Sequence, residues 1–298
     1  MDKPKVIAVV GPTSSGKTAL GIWLAQKFDG EVISADSRQV YKGLNLGTGK
    51  VTKKEMAGVP HHLLDVANPK KAFSASDFKL LGEKVIVKIL KNKSIPLVVG
   101  GTGLYADVLL GRMVLPEVPP NPKLRAQLEK KTAKQLFALL QKKDPERAAT
   151  IEPNHHRRLV RALEVAAALG KSPAKASAMQ GTEQYSVLWL GLNPGLEKLQ
   201  KNIHARLLAR IKSGMLDEGK RLHAAGLSYK RMEELGLEYR SMALYLQNKI
   251  TKDQMVAALD RAITNYAKRQ LKWFKRNPNI VWVTNKSEAA KLAKQFLQ

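Results

Sequence analysis

The sequence predicts an α/β fold, a parallel sheet core flanked by helices, with a helical domain inserted into it. Three features predict it. A short apolar run, Lys5-Val6-Ile7-Ala8-Val9-Val10, passes directly into Gly11-Pro12-Thr13-Ser14-Ser15-Gly16-Lys17-Thr18 and then into helical spacing. Two later apolar runs also end on small polar residues, as strands of a buried parallel sheet do. A proline-dense segment, Pro116-Glu117-Val118-Pro119-Pro120-Asn121-Pro122, then opens a long stretch of helical periodicity before a strand pattern returns at 187–192. The expected organisation is a first core part at 1–115, a helical insertion at 116–183, and the rest of the core with basic helices at 184–298.

The octapeptide after the first strand matches G-x-x-x-x-G-K-[ST], the P-loop. Residues 19–28 continue it as a helix, with Leu20, Trp23, Leu24 and Phe28 at helical spacing. The glycines let backbone N–H groups face an anion, and the helix start adds a positive dipole. Lys17 supplies a mobile charge and Thr18 a magnesium ligand. Gly11, Pro12, Thr13, Ser14, Ser15, Gly16, Lys17 and Thr18 thus read as a diphosphate cradle that requires Mg2+. The motif does not say whose phosphates it holds.

The second run, Glu31-Val32-Ile33-Ser34-Ala35, ends at Asp36-Ser37-Arg38-Gln39; the third, Pro96-Leu97-Val98-Val99, ends at Gly100-Gly101-Thr102-Gly103. Between them, 73–90 carries the capping pattern Ser74-x-x-Asp77 and apolar Phe78, Leu81, Val85 and Ile89, a crossover helix. Ligands of open α/β sheets sit outside the carboxyl ends of the strands, so Lys17, Asp36 and Thr102 are expected to converge on one crevice. Asp36 has two readings from its chemistry, a magnesium ligand or a general base at the reacting atom. An ATPase would place an acid after an apolar strand. The nearest candidate, His61-His62-Leu63-Leu64-Asp65, is interrupted by its histidines, which weakens ATP hydrolysis as an activity. Adjacent side chains seldom face one ion, so the two histidines are expected in a loop and not at a metal.

Within the insertion, a helix at 123–131 carries Arg125, and another starts near Asn154 with Arg157, Arg158, Leu159, Val160 and Arg161 in its opening turns. Cations there oppose the helix dipole and point to an anionic partner, with Glu164 as a partial neutraliser. After a turn at Gly181 and the strand at 187–192, Asn193-Pro194 starts a helix whose buried stripe is Leu199, Ile203, Leu207 and Ile211, with Arg206 and Arg210 on other faces. A long helix at 256–276 places Met255, Leu259, Ile263, Tyr266 and Phe274 toward the core. At about 100° per residue, Arg261, Lys268, Lys272 and Lys275 fall on the opposite side, with Arg269 and Arg276 beside them, a ridge suited to a phosphodiester backbone. Trp273 is expected in the core, and a strand at 279–284 and a helix at 288–296 close the chain.

The 51 Lys+Arg against 25 Asp+Glu, a net charge of +26, call for a polyanionic partner, nucleic acid first. Zero cysteines exclude a disulfide framework and a thiolate metal site. No stretch is apolar for long enough to span a bilayer and no leader is evident, so the chain is expected to be cytoplasmic, without a membrane partner. No heptad or self-complementary apolar patch is evident, which makes a monomer the expectation.

The blocks GPTSSGKT, ISADSRQVY, HHLLD, FSASDF, PLVVGGTGLY, RRLVRALEV, GLEYR and AKRQLKWF, in this order from Val6 to Phe274, resemble the tRNA dimethylallyltransferases, also called tRNA isopentenyltransferases. The resemblance implies a P-loop core with a helical insertion. It implies a loop that holds dimethylallyl diphosphate rather than ATP, and transfer of the dimethylallyl group to the N6 amine of adenosine 37 in a tRNA anticodon stem-loop. Asp36 then takes the role of base, with Lys17, Thr18 and Thr102 as its catalytic companions, and Ser37, Arg38 and Gln39 hold the extruded base. Thr102, Arg125, Arg157, Arg158, Leu159, Val160, Arg161, Arg240, Lys268, Arg269, Gln270 and Lys272 match tRNA-contacting positions, and Arg206 one that reaches the diphosphate. The chain departs from the family at Leu235-Gly236-Leu237-Glu238-Tyr239-Arg240, where IGYRE is common, and it lacks the C-terminal zinc-finger region of eukaryotic members, which implies a bacterial type without zinc. Two other classes stand beside this one: a small-molecule or nucleoside kinase that uses ATP without RNA, and a non-catalytic RNA-binding protein with a vestigial P-loop.

Overall fold

Strands β1 (Lys5–Val10), β2 (Gly30–Ser34), β3 (His61–His62), β4 (Ile95–Gly100), β5 (Ser186–Leu192) and β6 (Ile280–Val283) lie parallel in one sheet, in the order β3-β2-β4-β1-β5-β6. The structure is a computed structural model that describes residues 3–170 and 184–298; the turn expected at Gly181 lies outside them. β1 sits between β4 and β5, and its Val6, Ile7, Ala8, Val9 and Val10 are fully buried. Side chains alternate across a strand, so Val6, Ala8 and Val10 enter the core layer on one face of the sheet and Ile7 and Val9 the layer on the other. An uninterrupted apolar run is the composition that such two-sided burial requires.

The chain divides into two units, Met1–Leu110 with Gln184–Gln298, and Gly111–Glu183. In the first, α1 (Lys17–Lys27), α2 (Lys53–Met56), α3 (Ala75–Lys91) and α4 (Gly103–Leu109) precede the insertion; α9 (Leu196–Lys212), α10 (Met215–Ala224), α11 (Tyr229–Leu235), α12 (Leu237–Leu246), α13 (Lys252–Phe274) and α14 (Lys286–Leu297) follow it. α3 begins where its capping box ends: the Ser74 hydroxyl accepts from Asp77 N–H at 3.1 Å and the Asp77 carboxylate from Ser74 N–H at 2.8 Å. α13 starts at Lys252, ahead of the expected 256, because Thr251 and Gln254 form a further capping box. The histidine pair, expected in a loop, is instead the two-residue edge strand β3, in register with Val32 and Ile33 of β2. Two residues are too few to show a period of two. No helix among the described residues is long and apolar enough to cross a membrane.

The second unit contains α5 (Pro122–Leu128), α6 (Ala133–Lys143), α7 (Pro145–Ala148) and α8 (His156–Leu169), packed around Leu128, Leu136, Leu140, Leu159 and Leu163. Leu159 and Val160, expected at tRNA, are 0% and 5% exposed and point into this core, so their side chains are unavailable to a ligand. Glu164 is buried at 1% exposure and gathers the polar groups of the unit. It accepts from Asn121 N–H at 2.6 Å, from Arg125 Nε and Nη2 at 2.8 Å each, and from Arg161 Nη1. Burial alone would raise its pKa; the hydrogen bonds from Arg125, Asn121 and Arg161 outweigh that and hold it at about 2.

Glu164→Ala removes all of these acceptors and leaves Arg125 and Arg161 without their carboxylate, so urea unfolding at neutral pH should show a loss of about 2–3 kcal/mol. The folded pKa lies below the ordinary 4.5, so this contribution is present above pH 4.5 and lost as pH falls toward 2. The stability gap between variant and parent should narrow over that interval; a gap independent of pH would contradict the assignment.

Candidate functional site

Each of the first, second and fourth strands ends in a loop that leans on a neighbour. After β1, Gly11 (φ 152°) has no space for a side chain, since a Cβ would stand 2.6 Å from Leu192 O. Ser14 (φ 60°) and Gly16 (φ 92°) turn the loop over the start of α1. The Lys17 side chain folds back on this loop, and its Nζ donates to Pro12 O at 2.9 Å. Desolvation lowers its pKa to about 8, against the pull of the Asp36 carboxylate and with a push from the Arg206 guanidinium. Among the loop hydroxyls, Ser15 Oγ is buried without a hydrogen-bond partner.

β2 and β4 come closest where they end. Ala35 N–H donates to Val99 O at 2.9 Å and Thr102 N–H to Ala35 O at 3.1 Å. A Cβ on Gly100 would lie 2.1 Å from Ala35 O, which requires glycine there. This close seam sets Asp36 and Ser37 beside Thr102. Ser37 N–H donates to Thr102 Oγ1 at 3.0 Å. Asp36 Oδ1 accepts from Arg38 N–H at 2.8 Å and Gln39 N–H at 3.3 Å, which fixes the carboxylate on its own turn and leaves Oδ2 for the crevice.

The opposite wall comes from the C-terminal half. Gly49 O accepts from Arg206 Nη2 at 2.8 Å and from Gln39 Nε2 at 3.3 Å. The loop before it is held by the buried carboxylate of Glu218, which accepts from the N–H groups of Asn45, Leu46 and Gly47 and from the Tyr239 hydroxyl at 2.7–3.1 Å. Arg210 joins Gly47 O at 2.8 Å to Glu238 at 3.1 Å. The resulting cavity, about 290 Å³, is lined by Thr13, Lys17, Thr18, Asp36, Arg206, Tyr266 and Gln270, together with Ser37, Arg38, Gln39 and the 235–238 segment.

Of the expected trio, Lys17 and Asp36 share this cavity, and Thr102 does not line it. The Thr102 hydroxyl accepts from Ser37 N–H at 3.0 Å and donates to Ser37 Oγ at 3.4 Å, so it supports the wall from behind. Tyr266, expected in the buried stripe of α13, lies half-buried at the cavity with its pKa pushed up to about 12, by burial first and then by Asp36. Gln270, expected at tRNA, is 6% exposed and bonded at both ends of its amide to protein groups: Oε1 accepts from Thr13 N–H and Nε2 donates to Gly101 O, both at 2.8 Å. Lys268, Arg269 and Lys272 are exposed on α13, as are Arg261, Lys275 and Arg276 of the same ridge. Trp273 is half-buried over Gly103, and its Nε1 donates to Asp107 at 2.8 Å. Arg240 is exposed and donates to Glu233 O at 3.2 Å. In the other unit, Arg157 and Arg158 are exposed, while Arg125 and Arg161 share Glu164.

The donor set bears on a metal. No group of three or more His, Cys, Asp or Glu able to hold an ion occurs among the described residues. Thr18 and Asp36 bring one hydroxyl and one carboxylate to the cavity, which suits an ion completed by water and phosphate oxygens and not a cage made by the protein alone. Asp65, the only acid of the HHLLD block, is paired with Lys50 at 2.6 Å and lies outside the cavity lining, so that block brings no carboxylate to the cavity.

A family model described as IPP transferase matches residues 39–277. A tRNA dimethylallyltransferase of Roseiflexus sp. (strain RS-1) is 42% identical over 295 residues, which cover 97% of this chain and 95% of that protein. The tRNA dimethylallyltransferase of Halalkalibacterium halodurans is 36% identical over 287 residues, 94% of this chain and 91% of that one. Among solved structures, the full-length tRNA isopentenylpyrophosphate transferase of Bacillus halodurans aligns with a TM-score of 0.72 at 34% identity, covering 99% of this chain and 96% of that one. A eukaryotic dimethylallyltransferase acting on tRNA aligns with a TM-score of 0.81 at 29% identity, covering 98% and 77%.

The lowered pKa of Lys17 makes anion binding depend on pH. Below about 8 the ammonium is charged and able to attract an anion; above it the attraction fades. Calorimetric titration with inorganic diphosphate should show affinity falling as pH rises through about 8, and Lys17→Met should bind weakly with no such step. A step that survives in Lys17→Met would assign the titration to another group.

Proposed function

The chain belongs to the IPP transferase family, and on that premise we propose that it transfers a dimethylallyl group from dimethylallyl diphosphate to the exocyclic N6 amine of adenosine 37, beside the anticodon of tRNA, with release of diphosphate. The observation that carries this reading is the meeting of the Lys17 loop and the Asp36 carboxylate on one cavity, close enough for the carboxylate to act on the ammonium.

The reaction joins a weakly nucleophilic amine to an allylic carbon that becomes positive as its C–O bond breaks. Lys17 and the loop amides bind the diphosphate as it departs with the bonding electron pair. Thr18 would hold a magnesium ion there, whose charge stabilises the same leaving group. Asp36 Oδ2 accepts the proton that the amine gives up as its nitrogen bonds to carbon, while Oδ1 stays tied to Arg38 and Gln39 N–H and keeps the base in place. Arg206 adds a cation on the diphosphate side, and Ser37, Arg38 and Gln39 border the space left for the purine. An adenine in an anticodon loop leaves its stack more cheaply than one in a duplex.

The exposed cations Lys268, Arg269 and Lys272 on α13 would track the tRNA backbone, together with Arg240 and, in the inserted unit, Arg157 and Arg158. Arg125 and Arg161 keep partial exposure beside Glu164 and would present donors already oriented by it. A net charge of +26 opposes self-association and favours a monomer on its tRNA in the cytoplasm. A kinase would use the same loop for ATP, but that reading leaves the basic ridge without a task.

Asp36→Asn keeps the Oδ1 acceptor for the turn and removes the base. With radiolabelled dimethylallyl diphosphate and bulk tRNA, kcat should fall by about 10²–10⁴-fold while tRNA affinity in filter binding stays at the parent value. Turnover near that of the parent would remove Asp36 from the proton transfer.

A further inference from the structure

We infer that Gln270 is a positioning residue that locks the diphosphate loop to the turn after β4. The inference rests on the reading that the Lys17 loop holds the diphosphate of the prenyl donor. Gln270 follows Lys268 and Arg269 on α13, and both of those are exposed. Its own side chain runs the other way, into the protein, at 6% exposure.

There it spans two loops that the chain separates by almost ninety residues. Oε1 accepts from Thr13 N–H at 2.8 Å, in the loop after β1, and Nε2 donates to Gly101 O at 2.8 Å, in the turn after β4. These partners also decide which way the amide faces, because an N–H needs an acceptor and a carbonyl a donor. Among the side chains that fit this gap, a carboxylate lacks the donor and an apolar chain lacks both groups. Gly101 completes the fit: a Cβ there would lie 2.3 Å from Gln270 Nε2.

The consequence is preorganisation. An anion nest binds tightly when its N–H groups already point inward and the loop need not be ordered by the ligand. Thr13 N–H faces Gln270 instead, and that outward bond sets the orientation of the peptides that follow toward Lys17. The same amide holds Gly101, next to Thr102, whose hydroxyl receives Ser37 N–H beside Asp36. Gln270 thus ties the diphosphate side of the cavity to the side that carries the base, from a buried position in the cavity lining.

The test uses the full chain with Gln270→Met, which keeps length and loses both polar groups. Affinity for inorganic diphosphate should drop roughly tenfold, and KM for dimethylallyl diphosphate should rise by the same factor, with tRNA affinity unchanged. Weakened tRNA binding with unchanged diphosphate affinity would overturn the inference and return Gln270 to the tRNA surface; so would no change in either. If the chain transferred no prenyl group at all, the diphosphate titration would still report on the loop, so failure of the activity and failure of this role are separable. Should the variant not fold, amide hydrogen exchange on the unaltered protein decides: Thr13 N–H should be strongly protected without ligand, and exchange at the rate of an open loop would refute the bond.

Discussion

The site depends on a contact that tolerates no side chain. Where β2 and β4 end, Gly100 lies so near Ala35 that a Cβ would stand 2.1 Å from the Ala35 carbonyl oxygen. Any other residue would part the strand ends, and with them the Ser37–Thr102 hydrogen bond and the turn that holds Asp36. The neighbouring seam between Gly11 and Leu192 has the same character. A parallel sheet gives each strand the same direction, so all of these close-packed ends emerge on one side, and a few missing methyl groups bring an acid and an anion loop into one small volume.

Within each unit, polar groups are disposed in two ways. Some cations are neutralised internally: Arg125 and Arg161 by Glu164, Arg210 by Glu238. They act as braces, as does the Glu218 carboxylate beneath the 45–47 backbone. The cations of α13 stay exposed. Part of the net charge of +26 is thus committed to internal pairs, while the α13 cations remain available to an anion.

Much of this was legible in the sequence because it depends on local rules. The P-loop octapeptide, the apolar runs of β1, β2, β4 and β5, the Ser74–Asp77 cap and the alternate faces of α13 each follow from spacing over a few residues. What escaped depends on partners far along the chain. Tyr266 occupies a core-facing position by period, yet its hydroxyl ends at a polar cavity. Gln270 sits among solvent-facing cations, and only the tertiary fold reveals that its amide meets Thr13 and Gly101. Thr102 marks the end of a strand correctly, but its hydroxyl is committed to Ser37 N–H. Glu218 carried no signal at all, since an isolated glutamate on an amphipathic helix looks like a surface residue until the 45–47 amides are seen to converge on it. The His61–His62 strand is too short to advertise itself.

The central claim is that the cavity between the Lys17 loop and Asp36 joins a prenyl donor to a tRNA adenine. The most direct measurement incubates the purified protein with dimethylallyl diphosphate and unmodified tRNA, digests the RNA, and separates the nucleosides by liquid chromatography with mass detection. The account predicts an adenosine carrying one added five-carbon prenyl unit, at the position beside the anticodon, and no such product from ATP and tRNA alone. Unchanged adenosine throughout the tRNA, together with ATP consumed in its absence, would contradict it.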